Sequence, residues 1–99
     1  MPKVIFLPNA GRNLVKLREF IVIHNREAAA RAARVILEAA DSLGTHPQQG
    51  RPCEELLEYR ELIIPFGASG YMLRYRIENE TIYVVAIKHC KEAGFEGDG

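Results

Sequence analysis

Two arginines stand on alternate positions of the stretch YMLRYRI, residues 71–77. Successive side chains of a strand point to opposite faces, so Arg74 and Arg76 share a face with Met72. The other face is apolar and predicts a core contact: Tyr71, Leu73, Tyr75 and Ile77. The arginine face has three possible roles. It is solvated, it binds nucleic-acid phosphate, or it binds the carboxylates of a partner protein.

The end of the last predicted strand carries a second group of reactive residue types. His89 and Cys90 are adjacent there, and Cys53 is the other cysteine of the chain. Their spacing matches no metal-ligand motif, so we predict neither a metal nor a cofactor. Two cysteines are too few for a disulfide scaffold, and no secretory signal precedes them, so we expect reduced thiols in the cytoplasm.

The elements that must position these residues begin with helices. The run KVIFL, residues 3–7, predicts a strand, and Pro8 suits the first turn of a helix. Apolar residues at helical spacing predict a helix over about 8–24, and an alanine-rich stripe predicts a second over 27–43. Asn25 can end the first helix or cap the second. The short link between them predicts an antiparallel hairpin.

The second half of the chain predicts strands. Residues 45–55 form a polar loop with two prolines, in which GRP predicts a turn. Strands are expected over 57–64, 71–77 and 81–89, with turns at PFGAS and ENE. We expect one α+β domain over 1–91, in the order β-α-α-β-β-β, with the helical hairpin packed on one face of an antiparallel sheet. Residues 92–99 are predicted to be a flexible tail.

Charge and hydropathy limit the classes of function. The chain has 13 basic and 13 acidic side chains, so no overall cationic field attracts nucleic acid. Residues 1–50 carry seven basic and four acidic side chains, a balance of +3, and residues 51–99 carry six and nine, a balance of −3. No apolar run reaches the length needed to span a bilayer, so we expect no membrane contact.

In this order and spacing, the segments VIFLPNAGRNLVKLREFI, HPQQGRP, YRELIIP, GYMLRYRI and IYVVAIKH resemble a toxin of the RelE/ParE superfamily, from bacterial type II toxin–antitoxin pairs. The resemblance covers residues 3 to about 91. It implies the fold predicted above and a cognate antitoxin that forms a hetero-oligomer with the chain. It also implies one of two activities. RelE-like members cleave mRNA on the ribosome, whereas ParE-like members poison DNA gyrase.

The residues that RelE-like nucleases use are only partly present. The family arginine on the GYMLRYRI strand matches Met72, and no tyrosine follows Tyr83. A variant that depends on histidine stays open, because His89 ends the last strand, Arg60 or Arg74 can hold phosphate, and a nearby glutamate can act as a base. The candidate bases are Glu54, Glu55 and Glu58. A neutral chain fits ribosomal RNA poorly, since phosphate contacts dominate such affinity.

The ParE-like interpretation therefore leads. It makes the cationic residues contacts for the target or the antitoxin: Arg60, Arg74, Arg76, Lys88 and His89. It also predicts that four apolar residues of the first helix form the groove that binds the antitoxin: Leu17, Phe20, Ile21 and Ile23. These residues also have purely structural interpretations. Arg60 can pair with a local glutamate, and His89 can be a residue at the end of a strand whose hydrogen bonds are already made. The alternatives are a ribosome-dependent mRNA endoribonuclease that uses His89, Arg74 and Arg60, and a degenerate toxin that binds only its antitoxin.

Overall fold

The computed structural model describes residues 3–95. The chain forms two helices, α1 (Pro8–Val22) and α2 (Arg26–Ser42). Its strands are β1 (Lys3–Phe6), β2 (Arg51–Pro52), β3 (Tyr59–Phe66), β4 (Ser69–Glu78) and β5 (Thr81–His89). The α+β class and the β-α-α-β-β-β order are as predicted, with the two-residue β2 added inside the predicted loop. No helix among these residues is long and apolar enough to cross a membrane.

The strands form one mixed sheet in the order β1-β5-β4-β3-β2. β3, β4 and β5 make the predicted antiparallel meander, but β1 pairs with β5 in parallel, from Lys3 beside Thr81 to Phe6 beside Val84. The prediction of a wholly antiparallel sheet is corrected here. Parallel neighbours need a long crossover connection, and the helical hairpin together with β2–β4 provides it.

Local signals in the sequence explain the helical hairpin. Pro8 occupies the first turn of α1, where its missing N–H costs nothing. The Asn25 side chain caps α2 by accepting a hydrogen bond from the Ala28 N–H at 3.0 Å. The apolar stripe of α2 is buried, as predicted, and three of its four buried residues are small alanines: Ala29, Ala32, Ile36 and Ala40. They allow α2 to approach α1 and the sheet closely.

The helices cover one face of the sheet, here called the helix face, which carries Tyr71, Leu73 and Tyr75. These three side chains are buried, as the alternation of YMLRYRI predicts. Ile77 shares that face but is 37% exposed, because it lies next to the β4–β5 turn and near the edge of the covered region. The opposite face, here called the open face, carries Met72, Arg74 and Arg76.

Hydrogen bonds attach α1 to β5 beside a β-bulge in the centre of the sheet. The register shifts between Arg74 and Tyr75, whose partners are Ala86 and Val84, so Val85 has no direct partner. Such a bulge disrupts the ladder locally. Two buried asparagines of α1 bond the backbone on either side. Asn9 Nδ2 donates to the Val85 carbonyl at 3.1 Å, and Asn13 Oδ1 accepts from the Ile87 N–H at 3.0 Å. The apolar periodicity of α1 did not reveal this role.

Candidate functional site

The sheet divides the five predicted contact residues into two groups. Arg74 and Arg76 lie on the open face, and Lys88 joins them because it pairs with Met72. Arg60 pairs with Tyr75, and His89 pairs with Tyr71, so these two residues belong to the helix face. The five residues therefore do not share one surface, and their role as contacts stays a prediction.

The Arg74 side chain makes contacts with three other residues of the protein. Its Nη2 atom donates to Glu61 Oε2 at 2.8 Å and lies 4.0 Å from Cys53 Sγ. The Phe95 ring covers the guanidinium, with its centroid 4.3 Å from Arg74 Cζ. Arg74 Nε is buried and finds no hydrogen-bond partner among residues 3–95. The guanidinium is thus paired on one side, stacked on another and unsatisfied at one nitrogen.

Lys88 is the second cation of this region and is only 8% exposed. Its Nζ atom donates to the backbone carbonyls of Glu92, at 2.9 Å, and His89, at 3.4 Å. It also lies 5.7 Å from the centroid of the Phe95 ring. No carboxylate among residues 3–95 forms an ion pair with it. Among the described residues, the charge is therefore compensated by carbonyl dipoles and a ring face.

Arg76 occupies the more exposed end of the same face. Its guanidinium lies 4.5 Å above the Tyr83 ring and 3.5 Å from Glu78 Oε2. A solvated ion pair of this kind contributes little to stability. Arg76 is consequently a cation of the open face that can change partners at small cost.

Arg60 holds the loop before β2. Its Nη1 atom donates to the carbonyls of Gly50 and, at 3.4 Å, Gln48. The Tyr75 hydroxyl donates to the Pro47 carbonyl at 2.6 Å and accepts from the Gly50 N–H at 3.0 Å. A Cβ atom on Gly50 would lie 2.7 Å from that hydroxyl oxygen, which explains the glycine of the GRP motif. Arg60 thus holds this loop through carbonyl contacts, and it forms no ion pair with a glutamate among residues 3–95.

Burial raises the pKa of the Tyr75 phenol above its usual 10.0, although the bond from Gly50 and the charge of Arg60 oppose the shift. The hydroxyl is therefore protonated at neutral pH and donates to Pro47. We expect Tyr75→Phe to lower the free energy of unfolding by about 1–3 kcal/mol, because it leaves the buried Gly50 N–H and Pro47 carbonyl without this partner.

Urea unfolding followed by circular dichroism measures this change. Tyr71→Phe is the matched control, since the Tyr71 hydroxyl makes no hydrogen bond within residues 3–95. Its midpoint should stay close to that of the wild type. Equal midpoints for the two variants would contradict the role given to the Tyr75 hydroxyl.

His89 packs against Tyr71, with ring centroids 5.5 Å apart in an edge-to-face contact. Its Nδ1 atom accepts a hydrogen bond from the Lys91 N–H at 3.1 Å. Arg74 emerges on the other face of the sheet, and Arg60 is occupied by the loop. The alternative catalytic set of His89, Arg74 and Arg60 is therefore not assembled at one place. Glu54, Glu55 and Glu58 are exposed in the segment between β2 and β3.

His89 instead lines a groove between α1 and the β3–β4 hairpin, with a volume of about 890 Å³. Its apolar walls come from both elements: Leu17, Phe20, Ile21, Phe66 and Tyr71. Three of the four predicted groove residues are thus brought together. Ile23 is not part of this wall and is 78% exposed just beyond the end of α1. Phe20 is 69% exposed although it lines the groove.

The thiols take no part in a recognisable reactive site. Cys53 is buried beside Arg74, Cys90 is half-buried, and both are free. Within residues 3–95, no group of three or more His, Cys, Asp or Glu side chains is placed to hold a metal ion.

Comparison with known proteins identifies the family. The sequence matches, over residues 4–94, the family model described as the ParE toxin of the type II toxin–antitoxin system parDE. It is 37% identical over 92 residues to Toxin RelE3 of Caulobacter vibrioides, covering 93% of this chain and 98% of that protein. Toxin RelE1 of the same organism is 35% identical over 89 residues, with coverages of 90% and 94%.

Among solved structures, the fold is similar to a chain of the chromosomal ParDE toxin–antitoxin system from P. aeruginosa. The TM-score is 0.74 at 21% sequence identity, and the match covers 90% of this chain and 96% of the other. At this identity the similarity supports the fold alone.

Proposed function

This chain belongs to the RelE/ParE superfamily of type II toxin–antitoxin toxins, and from that premise we propose that it arrests growth by poisoning DNA gyrase rather than by cutting RNA. Membership of the family implies a cognate antitoxin as its partner. The proposal concerns the cellular target. It makes the open face, with Arg74, Arg76 and Lys88, a binding surface for gyrase or for the antitoxin.

The separation of Arg74 from His89 by the sheet carries this proposal. Cleavage of RNA through the 2′-hydroxyl needs a base, an acid and cations around one phosphate. His89 lies on the helix face beside Tyr71, whereas Arg74 lies on the open face with Glu61. The histidine and the arginine of the histidine-dependent set therefore lie on opposite faces of the described sheet. A toxin that acts by binding has no such requirement.

Net charge supports the same choice. The chain has a formal charge of zero, and Glu61 offsets part of the positive charge on the open face. Proteins that bind RNA through its phosphates gain most of their affinity from a surplus of basic residues. A gyrase-binding toxin needs only local complementarity with a protein surface.

A plasmid assay tests the proposal directly. Purified toxin is incubated with gyrase, ATP and supercoiled DNA, and the DNA is scored for linear product after protein digestion. We expect linear DNA that depends on gyrase and disappears when the antitoxin is added. Absence of linear product, at toxin levels that still stop growth, would overturn the proposal.

A pair of charge-reversal variants locates the surface. Arg76→Glu should reduce linear product at least several-fold, since like charge at an interface costs affinity, while its weak ion pair means little loss of stability. Arg31→Glu makes the same charge change on the exposed side of α2 and should behave as the wild type. Equal loss in both variants would argue against the open face.

The second candidate is an mRNA endoribonuclease, favoured by the RelE names of the curated relatives. It predicts growth arrest without linear DNA, together with mRNA cleavage on ribosomes that His89→Ala abolishes. Retained mRNA cleavage in His89→Ala would exclude His89 as the catalyst. A toxin that only binds its antitoxin would show neither product and no growth arrest.

A further inference from the structure

The segment after β5, residues Cys90–Phe95, turns back across the open face. The Cys90 N–H donates to the Gly70 carbonyl at 2.9 Å, and the Glu92 N–H donates to the His89 carbonyl at 3.0 Å. Glu92 Oε1 in turn accepts from the His89 N–H at 3.1 Å. These bonds form a compact turn whose last described residue, Phe95, lies on the Arg74 guanidinium. Within the predicted tail, Glu92 and Phe95 therefore have defined contacts, and residues 96–99 lie outside the described chain.

The surface beneath this segment has more positive than negative charge. Arg74 and Lys88 share the Phe95 ring, at 4.3 and 5.7 Å, and Glu61 is the one carboxylate that pairs with either of them among residues 3–95. Glu61 bonds Arg74 through Nη2 only, so the adjacent Nε donor stays unused and buried. In a bidentate contact, a guanidinium donates from two neighbouring nitrogens, here Nε and Nη2, to one oxyanion.

Among the described residues 3–95, the Phe95 ring is thus the group that contacts both cations where an oxyanion could lie. The negative face of an aromatic ring attracts a cation, but more weakly than a carboxylate does, and it offers no acceptor to Arg74 Nε. Lys88 donates to the carbonyl of Glu92, which belongs to this segment, and more weakly to that of His89, which precedes it. Opening of the segment would release two donors at once, Arg74 Nε and Lys88 Nζ.

We propose that residues Cys90–Phe95 are a cap that closes an oxyanion site formed by Arg74 and Lys88, and that the ligand of the open site is a carboxylate, such as an acidic side chain of a partner polypeptide. A carboxylate is favoured over phosphate because Arg74, Lys88 and Glu61 together carry a net charge of +1, which one monoanion neutralises, whereas a dianion leaves excess negative charge in a mostly buried site. This inference does not depend on which cellular target the toxin has, because the site belongs to the isolated chain.

Nuclear magnetic resonance of the isolated chain tests the closed cap. In the wild type, the Arg74 side-chain protons should show an upfield ring-current shift from Phe95, and Phe95→Ala should remove that shift while the backbone amide spectrum stays folded. Arg74 protons at ordinary positions in the wild type would overturn the cap.

Titration with acetate at constant ionic strength then tests the site, with the Arg74 Nε–Hε signal as the probe. Because the apparent affinity rises with the fraction of open cap, Phe95→Ala should bind acetate about fivefold or more tightly than the wild type. Val15→Ala shortens an exposed apolar side chain of α1 and should match the wild type. Adding Lys88→Gln to Phe95→Ala should cancel the gain.

Inorganic phosphate is the competing probe. Acetate should bind Phe95→Ala more tightly than phosphate does at the same pH. Tighter phosphate binding would overturn the carboxylate assignment, and equal acetate affinities for the wild type and Phe95→Ala would overturn the cap. Neither result depends on gyrase or on growth arrest, so failure here is distinguishable from failure of the proposed function.

Discussion

Arg74→Glu is expected to lower the free energy of unfolding by about 3 kcal/mol, because it replaces a largely buried ion pair by two adjacent carboxylates. The Arg74 and Glu61 side chains are only 22% and 14% exposed and lie directly opposite each other on β4 and β3. Urea unfolding at pH 7 measures the loss. Arg76→Glu is the matched control on the same strand, and its exposed pair with Glu78 predicts a change of about 0.5 kcal/mol or less.

The reversed pair separates charge from stability. Since the two positions are cross-strand partners, Arg74→Glu combined with Glu61→Arg can re-form the ion pair in the opposite sense. We expect the double variant to recover most of the stability lost by Arg74→Glu. Arg74→Glu with wild-type stability, or a double variant as unstable as the single one, would contradict the importance of the pair.

The same double variant is the appropriate probe of antitoxin binding. Arg74→Glu alone changes both the fold and the surface, so a weaker complex would have two explanations. In the reversed pair the fold is restored while the charges of the surface are exchanged. Calorimetry should show antitoxin affinity at least several-fold below that of the wild type. Unchanged affinity would exclude Arg74 as a contact for an acidic segment of the antitoxin.

Gly70→Ala is expected to lower the free energy of unfolding by about 3 kcal/mol, a large effect for one methyl group. A Cβ atom at this position would lie 2.4 Å from the Ile64 carbonyl oxygen and 3.2 Å from Pro65 Cα. These are backbone atoms of the paired strand, so no side-chain rotation relieves the contact. β3 and β4 would have to separate at the hairpin that forms one wall of the groove.

Gly11→Ala provides the opposite control. A Cβ atom there would meet nothing within 4 Å, and Gly11 lies inside α1. Alanine in a helix interior is more favourable than glycine by roughly 0.5–1 kcal/mol, so this variant should be more stable than the wild type. Urea midpoints measured together should therefore move in opposite directions. A Gly70→Ala protein as stable as the wild type would show that the strands adjust freely.

Much of the secondary structure follows from local sequence patterns. β5 occupies residues 81–89 as predicted, and α1 and α2 agree with their predictions to within two residues. The β3–β4 turn was predicted to be longer than it is, because Pro65 suggested a break. Pro65 is instead paired with Gly70 inside β3, where β2 no longer covers the strand and a missing N–H costs little. Composition alone does not show which strand positions lack a neighbour.

The sequence by itself determined the family, the helical hairpin and the two faces of β4, since these depend on residue order and on periods of 3.6 and 2. Only the tertiary structure decided which strands lie together and in what register. That register placed Arg60 and His89 on the face opposite Arg74, made β1 parallel to β5, and brought Phe95 onto Arg74. These contacts join residues distant along the chain, and no local period encodes them.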